Sequence, residues 1–168
     1  MNAENIERIA YRFTEQEIAA LLKLMNAAAL PGTGVTAAEP SEATVSSLVE
    51  SGIVLPCGER TFVDRTISLV LMNAARNARF LRAEAGEKRV VLYAGPEMCV
   101  LLEENGQGIL TIEPLQNFRA AREPFMTAVG DMGGSPVLTL TEAESGAGET
   151  GGTADIQALF ERLEKGEV

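Results

Sequence analysis

Arg76, Arg79 and Arg82 recur at every third residue, a spacing that on a helix gathers their guanidinium groups on one side, where they would meet an acidic partner. Ile156, Leu159, Phe160 and Leu163 fall at i, i+3, i+4 and i+7, the apolar stripe of a short acidic helix suited either to its own core or to another protein's groove. These seven side chains are the candidate partner-binding residues. Beside them no catalytic constellation assembles. The chain has no His, which removes Ser-His-Asp and Cys-His triads, imidazole bases and nearly all ordinary zinc sites together. Cys57 and Cys99 are 42 residues apart, without the C-x-x-C spacing of a redox or metal pair. Cys57 reads as an exposed turn thiol and Cys99 as a core residue.

Gly146, Gly148 and Gly151 match G-x-G-x-x-G, and the strand-like Val137–Leu140 precedes them. Only 17 residues follow Gly151, too few for the helix, second parallel strand and ribose-binding acid that a dinucleotide site needs. The preferred reading is a flexible linker. The paired carboxylates Glu103-Glu104 and Glu142/Glu144 are the remaining candidates for acid and base roles. Neighbours on a strand point to opposite faces, so Glu103 and Glu104 do not converge and read as solvated surface charge. No catalytic residue, metal ligand or cofactor is therefore expected.

Composition narrows the partner. The formal charge is -10, and residues 85–168 hold 14 acidic against 6 basic side chains where residues 1–84 hold 10 against 8. Such a field repels phosphate backbones and anionic lipid, so nucleic acid and membrane are disfavoured. Trp is absent and aromatic content is 5%, which leaves few platforms for stacking bases. Met1–Arg12 lacks the apolar region of a signal peptide, and no run approaches a bilayer-spanning length. A soluble protein of the reducing cytosol is the expectation.

The elements that must position the candidates follow from local signals. Asn2 to about Phe13 carries a helical stripe, and Thr14 with Glu17 three residues on forms a capping box for a helix reaching about Ala29. Ser41 caps a helix over Glu42–Ser51, stopped by Gly52. Ile53–Leu55 and Thr61–Val63 flank a turn and predict a small hairpin. Asp64 starts a long central helix to about Ala85, with Ile67, Val70, Leu71, Ala74, Ala75, Ala78 and Leu81 inside and the three arginines outside. From Lys88 the period becomes that of strands: Arg89–Ala94, Met98–Glu103 and Gly108–Ile112 form an antiparallel meander, to which Val137–Leu140 adds a fourth strand. Asn117–Val129 reads as a helix that Pro124 should kink or interrupt.

The plan is α+β: helices first, a winged-helix-like hairpin, a long central helix, a three- to four-stranded antiparallel sheet and a C-terminal amphipathic helix. Residues 1–140 form one domain, mainly helical over 1–85 and sheet-containing over 86–140. Residues 141–153 are a linker, four of them glycine, and 154–168 the final helix.

Ser41–Val63 resembles a winged-helix module with Glu42–Ser51 in the place of the recognition helix. That helix carries Glu42 and Glu50 but no Lys or Arg, so phosphate contact there is implausible and protein contact is the surviving use. Over a wider span, Thr14-Glu-Gln-Glu-Ile with Leu21-Leu22, then Ser47-Leu-Val-Glu-Ser-Gly-Ile-Val54, a long helix and an antiparallel sheet, the chain resembles the EspG-type chaperones of type VII secretion. Members are longer, with a pseudo-symmetric sheet and helical bundles, and this chain offers part of that plan. The resemblance implies cytosolic recognition of a helical secretion substrate and transfers no specific residue.

The expected function is a non-catalytic protein-binding adaptor or chaperone-like factor, whose partner is another protein and which is compatible with a homo-oligomer. The alternative is a winged-helix-like transcriptional regulator with an acidic sensing or partner-binding half.

Overall fold

A sheet of seven antiparallel strands organises the chain, in a computed structural model that describes residues 8–76, 79–142 and 148–166. In chain order the strands are β1 (Tyr11–Thr14), β4 (Arg79–Ala85), β5 (Lys88–Ala94), β6 (Cys99–Glu104), β7 (Ile109–Leu115), β8 (Val137–Glu142) and β9 (Gly148–Gly151). They lie side by side as β1-β7-β6-β5-β4-β8-β9. A separate two-stranded hairpin pairs β2 (Val54–Cys57) with β3 (Arg60–Val63).

Helices cover both faces. α1 (Glu15–Leu24), α2 (Glu42–Glu50) and α3 (Arg65–Ala75) pack on one side over Phe80, Val91, Tyr93, Val100, Leu102, Leu110 and Ile112. α4 (Phe118–Asp131) and α5 (Ile156–Lys165) cover the other side, over Leu81, Ala83, Val90, Leu92, Leu101, Leu138 and Leu140. Odd and even residues of the same strand thus enter different cores. That is why Val90-Val-Leu-Tyr93 is an unbroken apolar run rather than an alternating one.

The local signals explain the helix ends. Thr14 Oγ1 accepts from the Glu17 amide at 3.1 Å while Glu17 Oε2 accepts from the Thr14 amide at 2.9 Å, a complete capping box. Ser41 Oγ accepts from the Thr44 amide, and α2 ends in a Schellman turn: the Gly52 amide donates to Val49 O and the Ile53 amide to Leu48 O, with Gly52 at φ 73°. Asp64 Oδ1 accepts from the amides of Thr66 and Ile67 at the start of α3. Asn117 caps α4, which runs through Pro124 without interruption. The ring removes one donor and is itself buried.

Three expectations are corrected. The sheet has seven strands among the described residues, not three or four. The long central helix does not exist: α3 stops at Ala75, and Arg79–Ala85 is β4, hydrogen-bonded between β5 and β8. Leu81 fits a helical stripe with Val70 and Ala74, but it also fits the strand alternation Leu81, Ala83, Ala85, and pairing with two strands decides the conflict. The helix read over the N-terminus ends differently as well. Tyr11–Thr14 is the edge strand β1, registered on β7 with Phe13 opposite Leu110, while residues 1–7 lie outside the described residues.

Of the stretch read as a linker, Thr141 and Glu142 belong to β8 and Gly148–Gly151 forms β9, placing Thr139 opposite Thr150 and Leu140 opposite Glu149. Its centre, 143–147, lies outside the described residues. No helix among the described residues is long and apolar enough to cross a membrane.

Candidate protein-binding surface

The arginine row is dispersed by β4. Arg76 is the exposed residue at the C-terminal end of α3. Arg79 opens β4 and donates through its guanidinium to the carbonyl of Leu163 at the end of α5. Arg82 lies on the opposite strand face from Arg79, with its Nε 3.6 Å from Glu84 Oε2. From Glu84 the charges continue across the strands: Arg89 reaches Glu84 at 3.5 Å and Glu104 at 3.0 Å. This ladder is self-neutralising and leaves no common cationic face.

The second candidate group is brought together, but inward. Leu159, Phe160 and Leu163 are buried in the second core, with Ile156 packed half-buried against it. The Phe160 ring meets Phe118 edge-on at 5.9 Å and Phe125 at 6.0 Å, and the Arg122 guanidinium lies 5.1 Å above it. Arg162 pairs with Glu149 of β9, so the strand that the glycine motif supplies helps hold the helix down. α5 is a structural part of this domain.

Apolar surface is exposed elsewhere. Val54 is buried and opposite Val63, whereas the next pair along the hairpin, Leu55 opposite Phe62, points the other way, 54% and 50% exposed. On α3, Ile67, Val70, Leu71 and Ala74 enter the core, which turns Arg65, Leu69, Met72 and Arg76 outward along one line. Leu69 is 55% exposed and Met72 half-buried. The hairpin leads directly into this helix: the Asp64 amide donates to Ile53 O at 2.7 Å, closing the hairpin where α3 starts. Sequence reasoning found the hairpin and missed its outer face. The signal was there, since a two-stranded hairpin buries one side only, and an all-apolar Ile53-Val54-Leu55 run must therefore expose alternate residues.

Charged groups also collect at the open corner of the sheet under the end of α4. A groove of about 320 Å³ there is lined by Arg12, Lys88, Glu103, Thr111 and Asp131, among others. The row comes from strand register: Arg12 stands opposite Thr111, and Thr111 opposite Glu103. The sheet beneath Glu103 desolvates its carboxyl and raises its pKa, Glu113 and Asp131 push it further, and Arg8 opposes them. Arg8 itself forks onto Glu113, with Nε and Nη2 at 2.6 and 2.7 Å from the two carboxylate oxygens. As expected from strand geometry, Glu104 faces away from Glu103 and pairs with Arg89.

Cys57 is exposed on the hairpin and Cys99 buried, where desolvation pushes its thiol up to about 11 and so away from the reactive thiolate. Among the described residues no group of three Cys, Asp or Glu side chains is disposed to hold a metal ion. No family model matches the chain, and no curated protein matches it.

Proposed function

We propose that the chain is a non-catalytic protein-binding adaptor of chaperone type, working in the cytosol through the β2-β3 hairpin and the outer line of α3. The observation that carries the reading is the Leu55/Phe62 pair: two large apolar side chains, directly opposite one another on a hairpin, turned away from the core that the same hairpin anchors through Val54. Clustered exposed aromatic and aliphatic side chains on a rigid element are the chemistry of a protein-contact patch. Two unpaired cysteines accord with a reducing compartment. The resemblance to EspG-type chaperones supplies the partner class, a helical secretion substrate.

The test is a photo-crosslinking amino acid at position 62, with a second at Gln157 on the exposed side of α5 as control, in the cell that makes the protein. One reproducible heterologous adduct from position 62 and none from position 157 is the expected result. Free chain alone, or equal labelling from both positions, overturns the reading.

A further inference from the structure

Of the 14 basic side chains, Arg8, Lys23, Arg82, Arg89, Arg122 and Arg162 have a carboxylate partner among the described residues. Arg12, Arg60, Arg65, Arg76, Lys88, Arg119 and Lys165 make no ion pair among the described residues; of these, Arg60 shares β3 with Phe62, and Arg65 and Arg76 bracket Leu69 and Met72 on the outer line of α3. Arg65 is the first residue of α3, at the positive end of the helix dipole, where a cation is disfavoured. On the outer line of α3 the cations Arg65 and Arg76 flank a leucine and a methionine with no acidic residue between them, on a chain whose net charge is -10.

From this complementarity we infer that the occupant of the surface is an acidic amphipathic helix of another protein, an inference that rests on the adaptor reading. The dimensions fit. Arg65, Leu69, Met72 and Arg76 sit at i, i+4, i+7 and i+11, so two cations about 16 Å apart bracket two apolar side chains on one helical line. A partner helix lying along it matches when carboxylates spaced about three turns apart flank apolar residues at i, i+3 or i+4 and i+7. Leu55 and Phe62 are a second exposed apolar pair, on the hairpin that leads into α3, and Arg60 lies on the same strand as Phe62.

Competing occupants fit less well. A symmetric second copy would set this basic line against itself. Duplex nucleic acid would satisfy the arginines but leave the apolar strip facing phosphate, and α2, with two glutamates and no cation, sits just before the hairpin.

The assay is fluorescence anisotropy on the intact chain. The probe is a synthetic 18-residue helix-forming peptide with Leu at helical spacing and Glu in the flanking turns, compared with the same peptide carrying Lys for every Glu and with a 20-base-pair duplex. The acidic peptide should bind at least about tenfold more tightly than the Lys peptide, with affinity falling as salt is raised. Combining Arg65→Glu with Arg76→Glu should invert that preference, while Leu69→Ser should weaken both peptides and leave the melting temperature unchanged. Preference for the Lys peptide, indifference to the charge reversal, tighter binding of the duplex, or concentration-dependent self-association that excludes the peptide would each overturn the inference. A heterologous crosslink at position 62 that survives the charge reversal would overturn this inference and leave the adaptor reading standing, whereas loss of any heterologous crosslink from the unmodified surface removes both.

Discussion

α5 and the hairpin-α3 segment carry the same kind of sequence, short runs with apolar residues at helical or strand spacing and arginines beside them, and the fold treats them in opposite ways. In α5 the apolar stripe and Arg162 are used internally: Phe160 is fully buried, Arg122 lies over its ring, Arg162 pairs with Glu149, and the carbonyl of Leu163 is capped by Arg79. On the hairpin and α3, Leu55, Phe62 and Leu69 are half or more exposed, and Arg60, Arg65 and Arg76 are unpaired among the described residues. An amphipathic pattern therefore says that a face will be buried, not in what. The discriminating quantity is what remains exposed and uncompensated after the chain's own core is complete.

The strongest way to break the contrast is Phe160→Ala. If α5 belongs to the core, removing the ring leaves a cavity between Phe118 and Phe125 and should cost about 3–5 kcal/mol of stability. At this chain length that is a fall in Tm on the order of 10 °C by calorimetry. A melting curve unchanged by the substitution would make α5 a free segment after all.

Gly95→Ala should come next. A Cβ at Gly95 would sit 2.0 Å from Asn73 Oδ1 and 2.5 Å from the carbonyl oxygen of Met98, so both α3 and the β5-β6 turn would have to move. The turn cannot yield freely, because the Gly95 amide donates to that same Met98 carbonyl at 3.0 Å. About 1–3 kcal/mol is expected in urea unfolding. Because Asn73 is on α3, peptide binding should fall along with stability, in contrast to the outer-face variants.

Leu55→Ser together with Phe62→Ser should leave stability within about 0.5 kcal/mol by the same unfolding assay, since neither side chain enters a core. A loss as large as that of a buried residue would show that the hairpin's outer face is covered by its own chain.

Why the sequence disclosed one region better than the other is visible in single residues. Caps are local: Thr14 with Glu17, Ser41 with Gly52, and Asp64 each satisfy amides within a few positions, so they were readable and the helices begin where expected. Sheet membership is not local. Residues 79–85 contain no glycine or proline to announce a break, and Leu81 serves a helical period as well as a strand period, so only pairing with Val90–Tyr93 and Val137–Thr141 makes β4 a strand. Once β4 forms, Arg79 and Arg82 part to opposite faces and the expected cationic row is gone. β9 was hidden for a different reason: a Gly-Glu-Thr-Gly edge strand has almost no side chains to pattern. The candidate surface was half legible. Hairpin and α3 start were found, but which side of each faces outward depends on α1, α2 and the sheet that occupy the other side.

The smallest effect separates the hairpin from the charged corner of the sheet by its dependence on pH. Glu103 has its pKa raised, chiefly by desolvation and then by Glu113 and Asp131, so in the window between its unfolded and folded values the folded state holds more protons than the unfolded one. Stability from this group is complete below the unfolded value and is lost as pH rises through the folded value. At pH 7 the ionised carboxylate is a liability, one that glutamine at the same position does not carry. Glu103→Gln should therefore raise stability at pH 7, by no more than the roughly 0.5 kcal/mol usual for an open site, seen as a small rise in Tm, and the advantage should shrink as acid titration gives the natural carboxyl its proton. The Leu55/Phe62 variant has no titrating group and should run parallel to the unmodified chain across the same range. A Glu103→Gln gain that grows in acid would reverse the sign of the argument and would mean that Arg8, not the surrounding carboxylates and the sheet, dominates that carboxyl.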